Sequence, residues 1–171
     1  MSLRAIARGA PGTLWRRIYT VKNPGAGNDV TFPIPAHRAW ELLGVAALLT
    51  PSGVAGNRRP VLTLRDSGNV TLAAVASPTL ITAAQVTPVT WTNGQGAPVV
   101  VGGTAAWLPL PDDWYMMPSE SLTVTGHTDP GDTWTNIRVT VLEVNTGDPA
   151  YVGSLERQVA DHLEALYELT H

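Results

Sequence analysis

Period-two alternation broken by dense turn residues constrains this chain more than any other feature. Ser121-Leu122-Thr123-Val124-Thr125 and Ile137-Arg138-Val139-Thr140-Val141-Leu142-Glu143-Val144 alternate apolar with polar side chains. With Val, Ile and Thr on the pleat, that is the pattern of half-buried strands. Between the runs lies Gly126-His127-Thr128-Asp129-Pro130-Gly131-Asp132. Pro-Gly supplies one fixed and one free φ, and the Asp side chains can accept from nearby backbone N–H groups. The two runs therefore read as a hairpin, or as a strand–loop–strand pair with a longer loop. Upstream, Pro109, Pro111 and Pro118 interrupt 108–117, which excludes a helix and any central strand there. Trp107, Leu108, Leu110, Trp114, Tyr115, Met116 and Met117 make that irregular segment very apolar. It reads as a corner closing a β-sandwich or as a contact surface.

The same punctuation recurs along the chain. Strands are expected at 14–22, 29–34, 61–65, 70–75, 80–86, 89–92 and 99–101, with a tight hairpin turn at Asp66-Ser67-Gly68-Asn69. Residues 37–50 carry both periods. A helix suits 39–43 and 46–49, whereas a strand places Trp40, Leu42, Gly44 and Ala46 on one face. The β-rich surroundings favour the strand, because context overrides local propensity. Eight or nine strands at this spacing predict a mainly β fold, an antiparallel two-layer β-sandwich of jelly-roll type with a C-terminal amphipathic helix. The expected organisation is an N-terminal arm over 1–13, a sandwich domain over 14–144, a linker over 145–153 and a helix over 154–171.

The length of 171 residues suits one domain with appendages. A hydrophobic fraction of 44% is enough for a core, and 16 Gly with 14 Pro fit many short strands joined by tight turns. With no Cys there is no disulfide framework or thiolate metal site. Residues 2–12 have no signal-peptide pattern, and the apolar run 42–49 is too short to span a bilayer. A soluble protein assembled in the cytoplasm is the expectation.

Charge is polarised along the chain. Residues 1–22 hold Arg4, Arg8, Arg16, Arg17 and Lys22 with no acid, whereas 154–171 hold Glu156, Asp161, Glu164 and Glu168 against Arg157. Ser154 can cap a helix in which Leu155, Val159, Leu163 and Leu166 line one face. Such a stripe needs cover from its own sandwich or from a neighbour. The acids on the outer face call for a positive surface, which residues 4–22 of another copy would supply. A homo-oligomer follows, with a trimer as the first expectation. The candidate interface residues are Arg4 and Arg8 on the arm, Trp114, Met116 and Met117 in the apolar segment, and Leu155, Val159, Leu163 and Leu166 on the helix.

Chemistry is sparse. His127, Asp129 and Asp132 lie on a turn and lack the ligand count of a calcium loop. Replacing any of them by Ala should then cost about 1 kcal/mol or less, as for a surface turn. Asp112 and Asp113 are adjacent and would point to opposite faces of a strand. The four histidines are scattered, and no nucleophile elbow, P-loop or dinucleotide motif is present. No catalytic residue, cofactor or metal is assigned, and five positive charges over 1–22 fall short of a nucleic-acid footprint. Six Trp against one Phe suit a core, an interface or a carbohydrate platform.

The stretch Gly56-Asn57-Arg58-Arg59-Pro60-Val61-Leu62-Thr63-Leu64-Arg65-Asp66, followed by Leu108-Pro109-Leu110-Pro111-Asp112-Asp113-Trp114 and by Gly131-Asp132-Thr133-Trp134 running on to Val141-Leu142-Glu143-Val144, resembles a pattern in tailed-bacteriophage structural proteins. These are small β-sandwich auxiliary virion components, similar to head decoration or neck-associated proteins. The resemblance covers roughly 37–144. It implies a non-enzymatic capsid decoration protein, with the major capsid or portal-vertex proteins as partners and the virion as its location. A neck, collar or tail component is the alternative within that class, and a carbohydrate-binding adhesion module is the alternative outside it. The acidic segment 154–171 is not part of the pattern.

Overall fold

The computed structural model describes residues 14–78, 80–94, 99–101, 105–111, 114–126 and 129–147. The expected arm over 1–13, the helix over 154–171 and, with them, Arg4, Arg8, Leu155, Val159, Leu163 and Leu166 lie outside the described residues. So do Asp112, Asp113 and His127. The described chain is mainly β, with strands β1 (Leu14–Thr20), β2 (Val30–Pro33), β3 (Arg38–Thr50), β4 (Val61–Arg65), β5 (Thr71–Ala76) and β6 (Thr87–Thr92). They are followed by β7 (Val99–Val101), β8 (Ala105–Pro109), β9 (Tyr115–Met116), β10 (Ser121–Thr125) and β11 (Thr133–Asn145). No helix occurs among the described residues, so 38–50 is a strand, as its surroundings suggested.

Two sheets form. The larger runs β1-β11-β3-β6-β8-β7, with β9 also pairing β3, and the smaller runs β2-β10-β4-β5. The pairing is nested: β4 pairs β5, β3 pairs β6, β2 pairs β10 and β1 pairs β11, each antiparallel. The first four strands thus meet the later ones in reverse order, as in one long hairpin rolled up. Residues between β6 and β10 leave this scheme and extend the larger sheet through β7, β8 and β9.

Four expectations change here. Runs 121–125 and 137–144 are not a hairpin, because β10 lies in the smaller sheet and β11 in the larger. The chain passes from one sheet to the other between them instead. Residues 80–86 form no strand, and only Ile81 makes a single bridge, to Arg58. The proline-rich segment does hold a strand between two others: β8 pairs β6 in parallel and β7 antiparallel, so the larger sheet is not wholly antiparallel. Proline is tolerated because Pro109 is the last residue of β8, and Leu110 N–H donates to the Thr92 carbonyl at 3.0 Å just beyond it. Finally, Trp40 and Leu42 face the core but Gly44 and Ala46 do not. Gly44 sits opposite Thr140 while Leu42 sits opposite Val141, so Leu43 is an extra bulged residue. The inward row therefore resumes at Val45, Ala47 and Leu49. A second bulge, on β11 between Thr135 and Arg138, holds Asn136 at φ 52°.

The core lies between the sheets. Val30, Phe32, Leu62, Leu64, Leu122 and Val124 of the smaller sheet face Leu42, Val45, Leu49, Trp91, Leu108, Val139 and Val141 of the larger. Trp114 and Met116, expected in an interface, are core residues, with Met116 0% exposed. Their proline-stiffened segment turns inward and closes one margin of the sandwich against β3. Only Met117 of that trio stays half-exposed.

Candidate functional site

The densest polar constellation is at the end of the sandwich where strand-connecting arches meet. Asp132 was expected on a surface turn, but it is 1% exposed and Arg58 is 0% exposed. Arg58 Nε donates to both carboxylate oxygens, at 3.2 and 3.0 Å, and Nη2 donates to Oδ1 at 2.9 Å. Nη1 donates to the Gly56 carbonyl (2.6 Å), and Nη2 also lies within hydrogen-bond distance of the Val54 carbonyl (3.0 Å) and Ser52 Oγ (3.1 Å). Asp132 also accepts from Ser52 N–H at 2.7 Å and Asp129 N–H at 3.2 Å. The carboxylate holds the Arg58 guanidinium above its ordinary range, against the opposing effect of burial. A guanidinium is a fork of fixed donors, so this arrangement fixes position as well as charge.

Three arches converge there. Residues 51–60 lead from β3 to β4, 126–132 from β10 to β11, and 21–29 from β1 to β2, where Gly27 N–H donates to the Asp132 carbonyl at 2.8 Å. Two glycines make the approach possible. A Cβ on Gly126, at φ +119°, would lie 2.3 Å from the Arg59 carbonyl oxygen, and one on Gly27 would lie 2.9 Å from Pro130 Cα. Arg58 and Asp132 both fall within the stretches that carry the virion-protein resemblance, but no sequence spacing pairs position 58 with 132. Asp129, by contrast, behaves as a turn residue, accepting from Gly131 N–H at 2.8 Å.

A second buried acid, Glu143, continues the inward row of β11. It accepts from the Tyr19 hydroxyl and from Trp40 Nε1–H (2.9 Å), with Arg38 at 3.5 Å and Arg17 at 4.0 Å. Tyr19 stacks on Trp40 with ring centroids 4.7 Å apart. Burial first, and then the hydrogen bond and charge of Glu143, push the Tyr19 phenol up to about 12. In the sequence Glu143 is one more polar position of an alternating strand, and nothing local marks this cluster. Both carboxylates are engaged by donors from several elements, which suits anchoring the sheets rather than presenting a reactive group to a substrate.

The outer face of the larger sheet is the open surface. A depression of about 310 Å³ crosses β1, β11, β3 and β6, floored by Gly44, Ala46, Thr90, Thr92 and Thr140 and flanked by Arg16, Ile18 and Arg138. A second, of about 370 Å³, adjoins it and shares Ala46, Thr90 and Arg138. Ile18 is 64% exposed, and Trp107, in register with Thr90, is 42% exposed. Of the other tryptophans, Trp40, Trp91, Trp114 and Trp134 are core residues. Trp15 is half-buried on β1, remote in the strand order from Trp107 on β8. Among the described residues, no group of three or more His, Asp or Glu is placed to hold a metal ion, and no helix is long and apolar enough to cross a membrane. No protein-family model matches the chain, and comparison with curated proteins gives no match.

Proposed function

We propose that the chain is a non-enzymatic structural component of a tailed-phage virion, binding and stabilising the assembled capsid as a decoration protein. The observation that carries this reading is the nested pairing of β1·β11, β2·β10, β3·β6 and β4·β5 across two sheets. Two four-stranded runs, β1-β11-β3-β6 and β2-β10-β4-β5, are the order expected of a jelly roll. That architecture serves viral capsid and lectin domains alike. The sequence resemblance over 37–144 points to the virion side of that pair.

The surface supports the same choice. A carbohydrate platform needs neighbouring exposed rings, whereas four of the six tryptophans belong to the core. A decoration protein works through many weak repeated contacts, so it needs a rigid body with broad faces rather than one reactive cleft. The clamped arches fit that requirement. In this reading the partners are the major capsid or portal-vertex proteins, and the chain assembles as a homo-oligomer, a trimer first. Trp107 and Met117, both exposed and both in the excursion between β6 and β10, are two of the apolar residues offered for contact. A neck, collar or tail position is the alternative within the virion.

Co-sedimentation of the purified chain with particles stripped of auxiliary proteins tests the reading. Saturable binding at a fixed number of copies per particle is the expected result. No binding to particles, together with reproducible hits on a glycan array, would replace it with the adhesion reading.

A further inference from the structure

We infer that the depression on the outer face of the larger sheet is the docking surface for residues 154–171 of the same chain. The face is a trough because its floor lacks bulk. Gly44, Ala46, Thr90, Thr92 and Thr140 lie in adjacent rows of the sheet, and taller side chains, Ile18, Leu43 and the two arginines, stand beside them. An exposed Ile18 at its edge is apolar surface of the kind that marks a contact.

Charge identifies the occupant. The residues lining both depressions include Arg16 and Arg138 and no acid. Residues 154–171 carry four acids, Glu156, Asp161, Glu164 and Glu168, against Arg157, which gives 1 − 4 = −3 with His neutral. At helical spacing Leu155, Val159, Leu163 and Leu166 form one stripe, with Glu156 on its flank. The stripe suits a floor of small residues, and a flanking acid suits a flanking arginine.

A helix over 155–169 would be about 22 Å long at 1.5 Å per residue. The four strands that line the trough, β1, β11, β3 and β6, span three gaps, roughly 14 Å at about 4.8 Å each, so about two and a half turns of such a helix would lie over it.

Chain continuity selects the chain's own copy. Strand β11 supplies Arg138 and Thr140 to the trough and then leaves the sheet at Asn145, opposite Arg38. Returning from Asn145 to Thr140 covers about 17 Å at roughly 3.3 Å per residue. The linker 145–153 can extend to about 30 Å. A segment tethered so closely has a millimolar effective concentration at this face, which a free neighbour reaches only at very high protein concentration. The sheet face and the tail sequence carry this assignment, which does not depend on the virion reading.

The test uses the full chain with isotope-labelled methyl groups. Nuclear Overhauser contacts are expected between the Ile18 or Ala46 methyls and those of Leu155, Val159 or Leu163. They should persist at full intensity when labelled protein is diluted with unlabelled protein. Arg16→Glu with Arg138→Glu should weaken them severalfold and make the remainder salt-sensitive. In the tail, Val159→Asp with Leu163→Asp should abolish the contacts and shift the Ile18 methyl towards its solvent-exposed position while the core methyls stay in place. An Ile18 signal indifferent to the tail variant would overturn the inference. So would contacts seen only between labelled and unlabelled molecules, which would assign the face to a second copy.

Discussion

Asp132 shows how a residue that reads as turn chemistry becomes part of the framework. Its charge is enclosed with Arg58, and the donors around it, from Ser52, Arg58 and Asp129, belong to the arches. Removing one partner leaves the other charge buried and unmatched, so Asp132→Ala is expected to cost ~3–5 kcal/mol in chemical denaturation. Asp129→Ala, on the same turn, should cost about 1 kcal/mol or less. Equal small losses for both would show that the pair is solvated in solution. Tyr19 offers a second readout at this scale. Its phenol is neutral when protonated, and its folded value, about 12, lies above the ordinary 10. The associated stability is therefore fully present below pH 10 and is lost as pH rises through 12. Ultraviolet titration of the four tyrosines should include a late component that Tyr19→Phe removes. A titration in which all tyrosines ionise together near pH 10 would contradict the burial of that cluster.

At the scale of elements, the arches decide the fold as much as the strands do. Gly126 is tested by Gly126→Ala, whose methyl would meet the Arg59 carbonyl at 2.3 Å in a left-handed backbone. A loss of at least about 1 kcal/mol in a thermal melt is expected. Gly53→Ala, with nothing within 4 Å, should be near neutral. Similar melts for the two variants would mean that the loops do not pack as described. The strands themselves were legible: 61–65 and 121–125 match their alternation, 99–101 its apolar run, and 38–50 followed its neighbourhood. What local pattern could not supply was the partner of each strand. Runs 121–125 and 137–144 look like a hairpin because both alternate around a turn, yet β10 and β11 pair within different sheets. Likewise a face written at strict period two fails at Leu43, because a bulge is a property of the ladder and not of one strand. Burial of Trp114 and Met116 followed from where β9 docks on β3, a contact with no local signature.

For the whole molecule, rolled pairing places the termini of the described chain on the same sheet, with Leu14 opposite Val144. The arm and tail sequences thus adjoin neighbouring strands, β1 and β11. A body of this kind, clamped at its arches, suits repeated attachment to a larger assembly. Light scattering on the full chain is expected to give a homo-oligomer, with a threefold mass first; a monomer at all concentrations would remove self-association from the account. The central claim is tested most directly by an electron cryomicroscopy reconstruction of the intact phage particle. The account predicts two-sheet density of this chain on the shell or portal vertex, repeated with the symmetry of its site. A well-resolved particle carrying no such density, with the chain absent from its protein content, would contradict it.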